Sequence, residues 1–240
     1  MTTDNDRWRE MALSFGADLF GVADLAPARA FIAQQGGEML ASYPRAISIG
    51  VRLLDTLVDQ LPNADDPTVV INYRRHGYDA VNLRLDDIVS KLSSRLQSEG
   101  HRALPVPSTG GTLPDRLCGV FSQKLAAHLA GLGWIGKSCL LVTPQYGPRV
   151  RWGAVLTDAP LTPGQPMDER CGDCRQCVDI CPSGAFSGRP FREDEPREAR
   201  FDVYRCRDYQ NARRESTGLP ILCGLCLYVC PVGRNKPRTN

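Results

Sequence analysis

The chain holds ten cysteines, and eight of them fall in its last 70 residues: Cys171, Cys174, Cys177, Cys181, Cys206, Cys223, Cys226 and Cys230. Residues 171 to 182 read CGDCRQCVDICP, a C-x2-C-x2-C-x3-C-P run. That rhythm wraps three thiolates round one [4Fe-4S] cubane, while the longer last step and the proline turn the fourth cysteine toward a second cluster. Residues 223 to 231, CGLCLYVCP, supply C-x2-C-x3-C-P, one cysteine short of a full run, and Cys206 in VYRCRDY makes up the number. With the crosswise arrangement, one [4Fe-4S] cluster takes Cys171, Cys174, Cys177 and Cys230, and the other takes Cys181, Cys206, Cys223 and Cys226. The alternative is a pair of four-cysteine zinc sites, which have no need of that rhythm. Two adjacent clusters conduct single electrons; the acceptor must then lie in the first 165 residues.

Those residues read as the elements of an α/β domain. DRWREMALSFG has helical spacing with a glycine stop, followed by a strand over 18–23. RAISIGVRL, over 45–53, is a β-branched strand. Between residues 78 and 100, Val81, Leu85, Ile88, Val89, Leu92 and Leu96 keep the spacing of one helix face. HRALPVP and RWGAVLTDAP read as strands, and FSQKLAAHLAGLG as a helix with a glycine stop. Strands alternating with helices give an α/β layer architecture. The Pro- and Gly-bearing LTPGQPMDER, residues 161–170, is a linker, so the expected domains are 1–165 and 166–240, the second held by metal and poor in helical or strand periodicity.

Across all 240 residues, 42% are hydrophobic, 23% are charged and the net charge is +2, so no strong field points to nucleic acid or an acidic membrane surface. No apolar run reaches spanning length and the first residues carry no signal pattern, which predicts a cytoplasmic protein with no membrane partner.

GLGWIGKS, residues 131–138, fits the phosphate-loop string G-x-x-x-x-G-K-[ST]. A phosphate loop needs a strand before it and a helix after it. Here a helix precedes it and Pro144 follows closely, while Trp134 and Ile135 are bulky where backbone must approach phosphate. An ATP-binding iron-sulfur protein is thus the lesser alternative, with Asp158 as its metal-binding carboxylate.

AGLGWIGKS, LLVTPQYGPRVRWGAVLTDAPL, CGDCRQCVDICPSGAF and CGLCLYVCP together resemble the epoxyqueuosine reductase family and related corrinoid reductive dehalogenases, with similarity from about residue 16 to the end. The resemblance implies a nitroreductase-like cobalamin-binding α/β domain followed by a ferredoxin-like double [4Fe-4S] domain. It makes Gly131, Gly133, Trp134, Gly136 and Lys137 candidate cofactor contacts and Tyr78 an active-site candidate. Electrons would pass from the clusters to cobalamin and then to a small-molecule substrate or another protein's corrinoid. The alternative is a corrinoid-free electron-transfer protein.

The sequence also departs from the family. Where the family carries its proton-donating Asp, ungapped counting reaches Leu117; Asp115 and Cys118 are the near substitutes. The chain ends ten residues after Cys230, without the helical-repeat extension of many tRNA-acting members, so tRNA is not the expected substrate. No D-x-H-x-x-G carrier motif surrounds His76, His101 or His128, which read as surface or core residues. Cys118 and Cys139 read as packing thiols. From Gly188 to Asn240, eleven Lys/Arg face seven Asp/Glu; this mixed surface could receive an acidic electron donor such as ferredoxin or flavodoxin.

Overall fold

The computed structural model describes residues 4–108, 112–113 and 115–234. The first half of the chain runs α1 (Asp4–Ser14), β1 (Leu19–Asp24), α2 (Arg29–Gly36), α3 (Glu38–Ala41), β2 (Arg45–Arg52), α4 (Asp55–Asp59) and α5 (Pro67–Asn72). A π-helical stretch, Tyr73–Asp79, leads into α6 (Ala80–Ser98) and β3 (Ala103–Val106). Next come β4 (Thr112–Leu113), β5 (Cys118–Gly119), α7 (Gln123–Leu129), β6 (Trp134–Ile135), β7 (Leu141–Val142) and β8 (Val150–Thr157). Then α8 (Gln176–Asp179), α9 (Val203–Thr217) and α10 (Leu225–Tyr228) follow.

These elements form two compact units, each discontinuous in sequence. The first comprises residues 1–52, 81–133 and 151–167. Its four-stranded sheet has the order β1-β2-β8-β3, with antiparallel ladders between β1 and β2 and between β3 and β8. The pleat sorts side chains by alternation. Val22, Ile47, Ile49, Val51 and Val155 meet Trp8 and Ala12 of α1 and Leu85, Ile88, Val89, Leu92 and Leu96 of α6. Ala23, Ala46, Ala154 and Leu156 meet Ile32 of α2, Leu40 of α3 and Ala126 and Leu129 of α7. Both faces of the sheet are therefore covered, as in an α/β fold.

The second unit comprises residues 53–80, 134–150 and 168–240. Its buried apolar residues are fewer and scattered: Val58, Leu61, Val70, Leu141, Val142, Ala185, Phe186 and Leu227 are among them. Phe186 stacks on Phe201, ring centroids 5.1 Å apart. The strand and helix expectations for the first 165 residues match α1, β1, β2, α6, β3, α7 and β8. The cysteine-rich part, expected to be poor in helix, contains the 15-residue α9. This helix has no buried residue and hence no apolar stripe to betray it. Its ends are instead fixed by capping: the Asp202 carboxylate accepts from Tyr204 N and Arg205 N, and Gly218 closes it at φ 69°. Among the described residues, no helix is long and apolar enough to cross a membrane.

Candidate iron-sulfur centres and the glycine loop

All eight clustered cysteines lie in the second unit, carried by short elements and tight turns. Cys174 N donates to Cys171 O at 2.9 Å, closing the first turn of the run. Cys177 rides on α8 and Cys181 follows its end; Cys206 is on the first turns of α9. Gly224, at φ 69°, caps α10 between Cys223 and Cys226. A Cβ there would press on the Leu61 side chain, so the turn that spaces these two thiols depends on glycine. None of the cysteines is in a disulfide.

Burial raises several of these thiols, and neighbouring cysteines add to it. Burial pushes the Cys177 thiol up to about 11, helped by the charges of Cys171, Cys230 and Cys174. Burial likewise pushes Cys226 up to about 12, with Cys223, Cys206 and Cys181 the next contributors and Cys177 the last. Cys230 is raised by burial and by Cys171 and Cys174; Cys206 by burial and by Cys223 and Cys181. Cys177 acts on Cys226 across the two expected quartets, and the crosswise assignment carries forward as a proposal. Among the described residues, no three His, Cys, Asp or Glu side chains gather in a way that would hold a single metal ion. The donor chemistry nonetheless fits iron-sulfur clusters: gathered thiols would repel one another as thiolates unless cationic iron sat among them, and loading must release their protons.

The glycine loop leaves α7 and enters a β-hairpin. Trp134 pairs with Val142 and Ile135 with Leu141; Cys139 N donates to Gly136 O at 2.8 Å across a turn in which Cys139 adopts φ 54°. No helix follows, so the strand-loop-helix frame of a phosphate loop is absent. Asp158, the carboxylate assigned to that reading, accepts from Arg102 N at 2.8 Å. The ATP-binding alternative thus loses its structural basis.

Each loop residue is accounted for by local packing. Gly131, at φ 74°, lies against the Gln165 backbone, and Gly133 O faces His128 Nδ1 at 3.2 Å in the first unit. In the second unit, a Cβ on Gly136 would lie 3.3 Å from Cys171 Sγ. Trp134 is buried, with the Arg170 guanidinium 5.7 Å from its ring centroid. Among the described residues its indole Nε1–H has no hydrogen-bond partner, and burial raises the nearby Cys171 thiol. Lys137, 9% exposed, donates from Nζ to Gly172 O at 2.5 Å and to Cys174 O at 3.2 Å. The expected corrin contact of Lys137 therefore competes with bonds to the first cysteine loop.

Tyr78 lies half-buried in the π-helical stretch, with the Arg74 guanidinium 4.4 Å from its ring centroid. Such stretches recur at functional sites. Asp115 is exposed in the turn between β4 and β5 of the first unit. His128 is buried, His76 exposed and His101 half-buried, 3.8 Å from Asp158. Two features of the second unit escaped the sequence reading. Arg149, 1% exposed, forms ion pairs with Asp55 at 3.1 Å and Asp59 at 2.7 Å. Buried Arg200 places a guanidinium nitrogen 3.8 Å from Cys139 Sγ. Neither arginine stands in a motif, so no spacing announces it.

Comparison with known proteins bears on the same segments. Residues 170–233 match the 4Fe-4S double cluster binding domain. An epoxyqueuosine reductase of Bacillus anthracis is 43% identical over 68 residues, 28% of this chain and 18% of that protein. One from Pseudomonas aeruginosa is 29% identical over 238 residues, 95% of this chain and 60% of that protein. The chain is thus similar to epoxyqueuosine reductases, and its matches span 18% and 60% of the length of these two curated relatives. The fold is that of a reductive dehalogenase described with a mechanism for B12-dependent dehalogenation, at TM-score 0.71 and 19% identity over 96% of this chain and 32% of that one. An epoxyqueuosine reductase bound to an epoxyqueuosine-modified tRNA-Tyr stem loop gives TM-score 0.61 and 18% identity over 95% and 64%. The α/β fold and the double cluster domain expected from the sequence are thus found; the loop and active-site assignments carry forward as proposals.

Proposed function

We propose that this chain is a cytoplasmic reductase in which two [4Fe-4S] clusters pass single electrons to a cobalamin, with residues 1–165 as the cofactor and substrate domain and 166–240 as the ferredoxin-like domain. The observation that carries the reading is the match of residues 170–233, which hold all eight clustered cysteines, to the 4Fe-4S double cluster binding domain. Cys171, Cys174, Cys177 and Cys230 would hold one cluster; Cys181, Cys206, Cys223 and Cys226 would hold the other. Support for the cobalamin comes from the fold neighbour associated with B12-dependent dehalogenation. Bound there, a cobalamin would supply a cobalt centre able to accept electrons singly. Gly131, Gly133, Trp134 and Gly136 are its candidate contacts, with Tyr78 and Asp115 as candidate proton-handling groups. The substrate in this reading is a small molecule or another protein's corrinoid, and the modified tRNA stem loop is its rival. The electron donor is an acidic ferredoxin or flavodoxin received near the arginines of α9.

The inward packing of Trp134, Gly136 and Lys137 favours a second reading, a corrinoid-free electron-transfer protein. Adding hydroxocobalamin to anaerobically loaded protein separates the two. Corrinoid absorption bands that co-elute with the protein and shift on reduction support the first reading, whereas cluster-loaded protein that retains no corrinoid leaves the second. With reduced donor supplied, product from small haloaromatic probes or from modified stem loop then decides the substrate class. Reduction that slows at high salt supports donor docking, and a salt-independent rate opposes it.

A further inference from the structure

We propose that Lys137 raises the reduction potential of the cluster held by Cys171, Cys174, Cys177 and Cys230. The proposal rests on the reading that the quartets carry clusters. Lys137 is buried, and its ammonium donates to two carbonyls of a single cysteine loop, Gly172 O and Cys174 O. The residue stands in the tight turn of the β6–β7 hairpin, so its stem starts from fixed backbone. Gly136, one residue before, lacks the Cβ that would crowd Cys171 Sγ. One hairpin thus brings a full positive charge and a close backbone approach to the same quartet.

Reduction adds one negative charge to a cluster. A fixed cation nearby stabilises the reduced state more than the oxidised one, and burial keeps solvent from screening it. Glu169 opposes this: its carboxylate accepts from Cys171 N at 2.7 Å. Neutral groups reach the thiols of the other quartet. Ser183 Oγ and Ala185 N lie 3.4 Å from Cys181 Sγ, and Gln210 Nε2 lies 3.3 Å from Cys206 Sγ. Arg213, in the same helix as Cys206, is paired with Asp65 at 2.8 Å. Lys137 therefore biases the electron toward the quartet that adjoins the glycine-tryptophan hairpin.

The test compares wild type, Lys137→Met and Lys137→Arg, purified anaerobically with iron and sulfide counted, then titrated electrochemically with EPR detection. In Lys137→Met, the reduced-to-oxidised ratio of one cluster at fixed potential should fall about tenfold, which is 59 mV for a one-electron couple. The other cluster should stay put, and Lys137→Arg should restore most of the shift. If Lys137→Met loses a cluster, Lys137→Gln replaces it, keeping a donor for the carbonyls but no charge, and should show the same fall. Unchanged potentials in a fully loaded variant, equal shifts of both clusters, or cluster loss in both uncharged variants without rescue by arginine would overturn the proposal. Wild-type protein lacking iron would instead overturn the cluster reading beneath it.

Discussion

The two units stand on different physics. The first closes two apolar clusters on the faces of one sheet, with Ile47, Ile49, Leu85 and Leu92 fully buried. The second, built largely of turns and short helices, buries fewer apolar side chains and gathers thiols such as Cys177 and Cys226, whose ionisation burial and neighbouring cysteines oppose. A chain segment that buries little apolar surface must offset its conformational entropy by other means, and metal ligation is one of the strongest. The first unit should therefore hold its fold without metal, while the second should depend on it.

Chelating or oxidatively destroying the clusters tests that contrast with the largest effect. Amide hydrogen exchange should accelerate sharply in α8, α9 and α10 and stay slow in β2, β8 and α6. Equal loss of protection in both units would break the comparison. Leu85→Ala strikes the other side: a fully buried side chain at the α6–sheet contact is removed, and stability should drop by about 2–5 kcal/mol in denaturant melts without loss of iron. In the second unit, Arg149→Met leaves Asp55 and Asp59 without their cation. The expected cost is about 3 kcal/mol, at the lower end for a broken buried pair because Asp59 is half exposed. The smallest effect lies on the surface of the first unit, where Arg7, aided by Arg95, holds the Glu99 carboxyl below its usual range. A carboxylate with a depressed folded pKa stabilises above its unfolded pKa, and the contribution disappears as pH falls through the folded value. Wild type should thus lose slightly more Tm than Glu99→Gln between neutral pH and pH 3, and equal losses would remove this pair from the account.

The same contrast explains what could be read from residues alone. In the first unit, periodicity and burial coincide: the three-and-four spacing from Val81 to Leu96 is the buried face of α6, and the β-branched run at 45–53 is β2. In the second unit, ligand spacing carried the signal, and Cys206 could be enlisted by arithmetic before its helix was visible. The helix itself was not legible, because α9 buries no stripe and is held by Asp202 and Gly218 at its ends. Arg149, Arg200 and the seat of the Lys137 ammonium were hidden for a related reason. Each acts on groups distant in sequence, Asp55 and Asp59, Cys139, and the Gly172 and Cys174 carbonyls, and nothing local marks the partnership.

The central claim is that the thiol quartets hold two [4Fe-4S] clusters, and metal analysis of anaerobically purified protein with Mössbauer spectroscopy tests it most directly. About eight irons and eight sulfides per chain, with the spectrum of cubane clusters, is the expected result. Colourless protein carrying two zinc ions and no sulfide would contradict it.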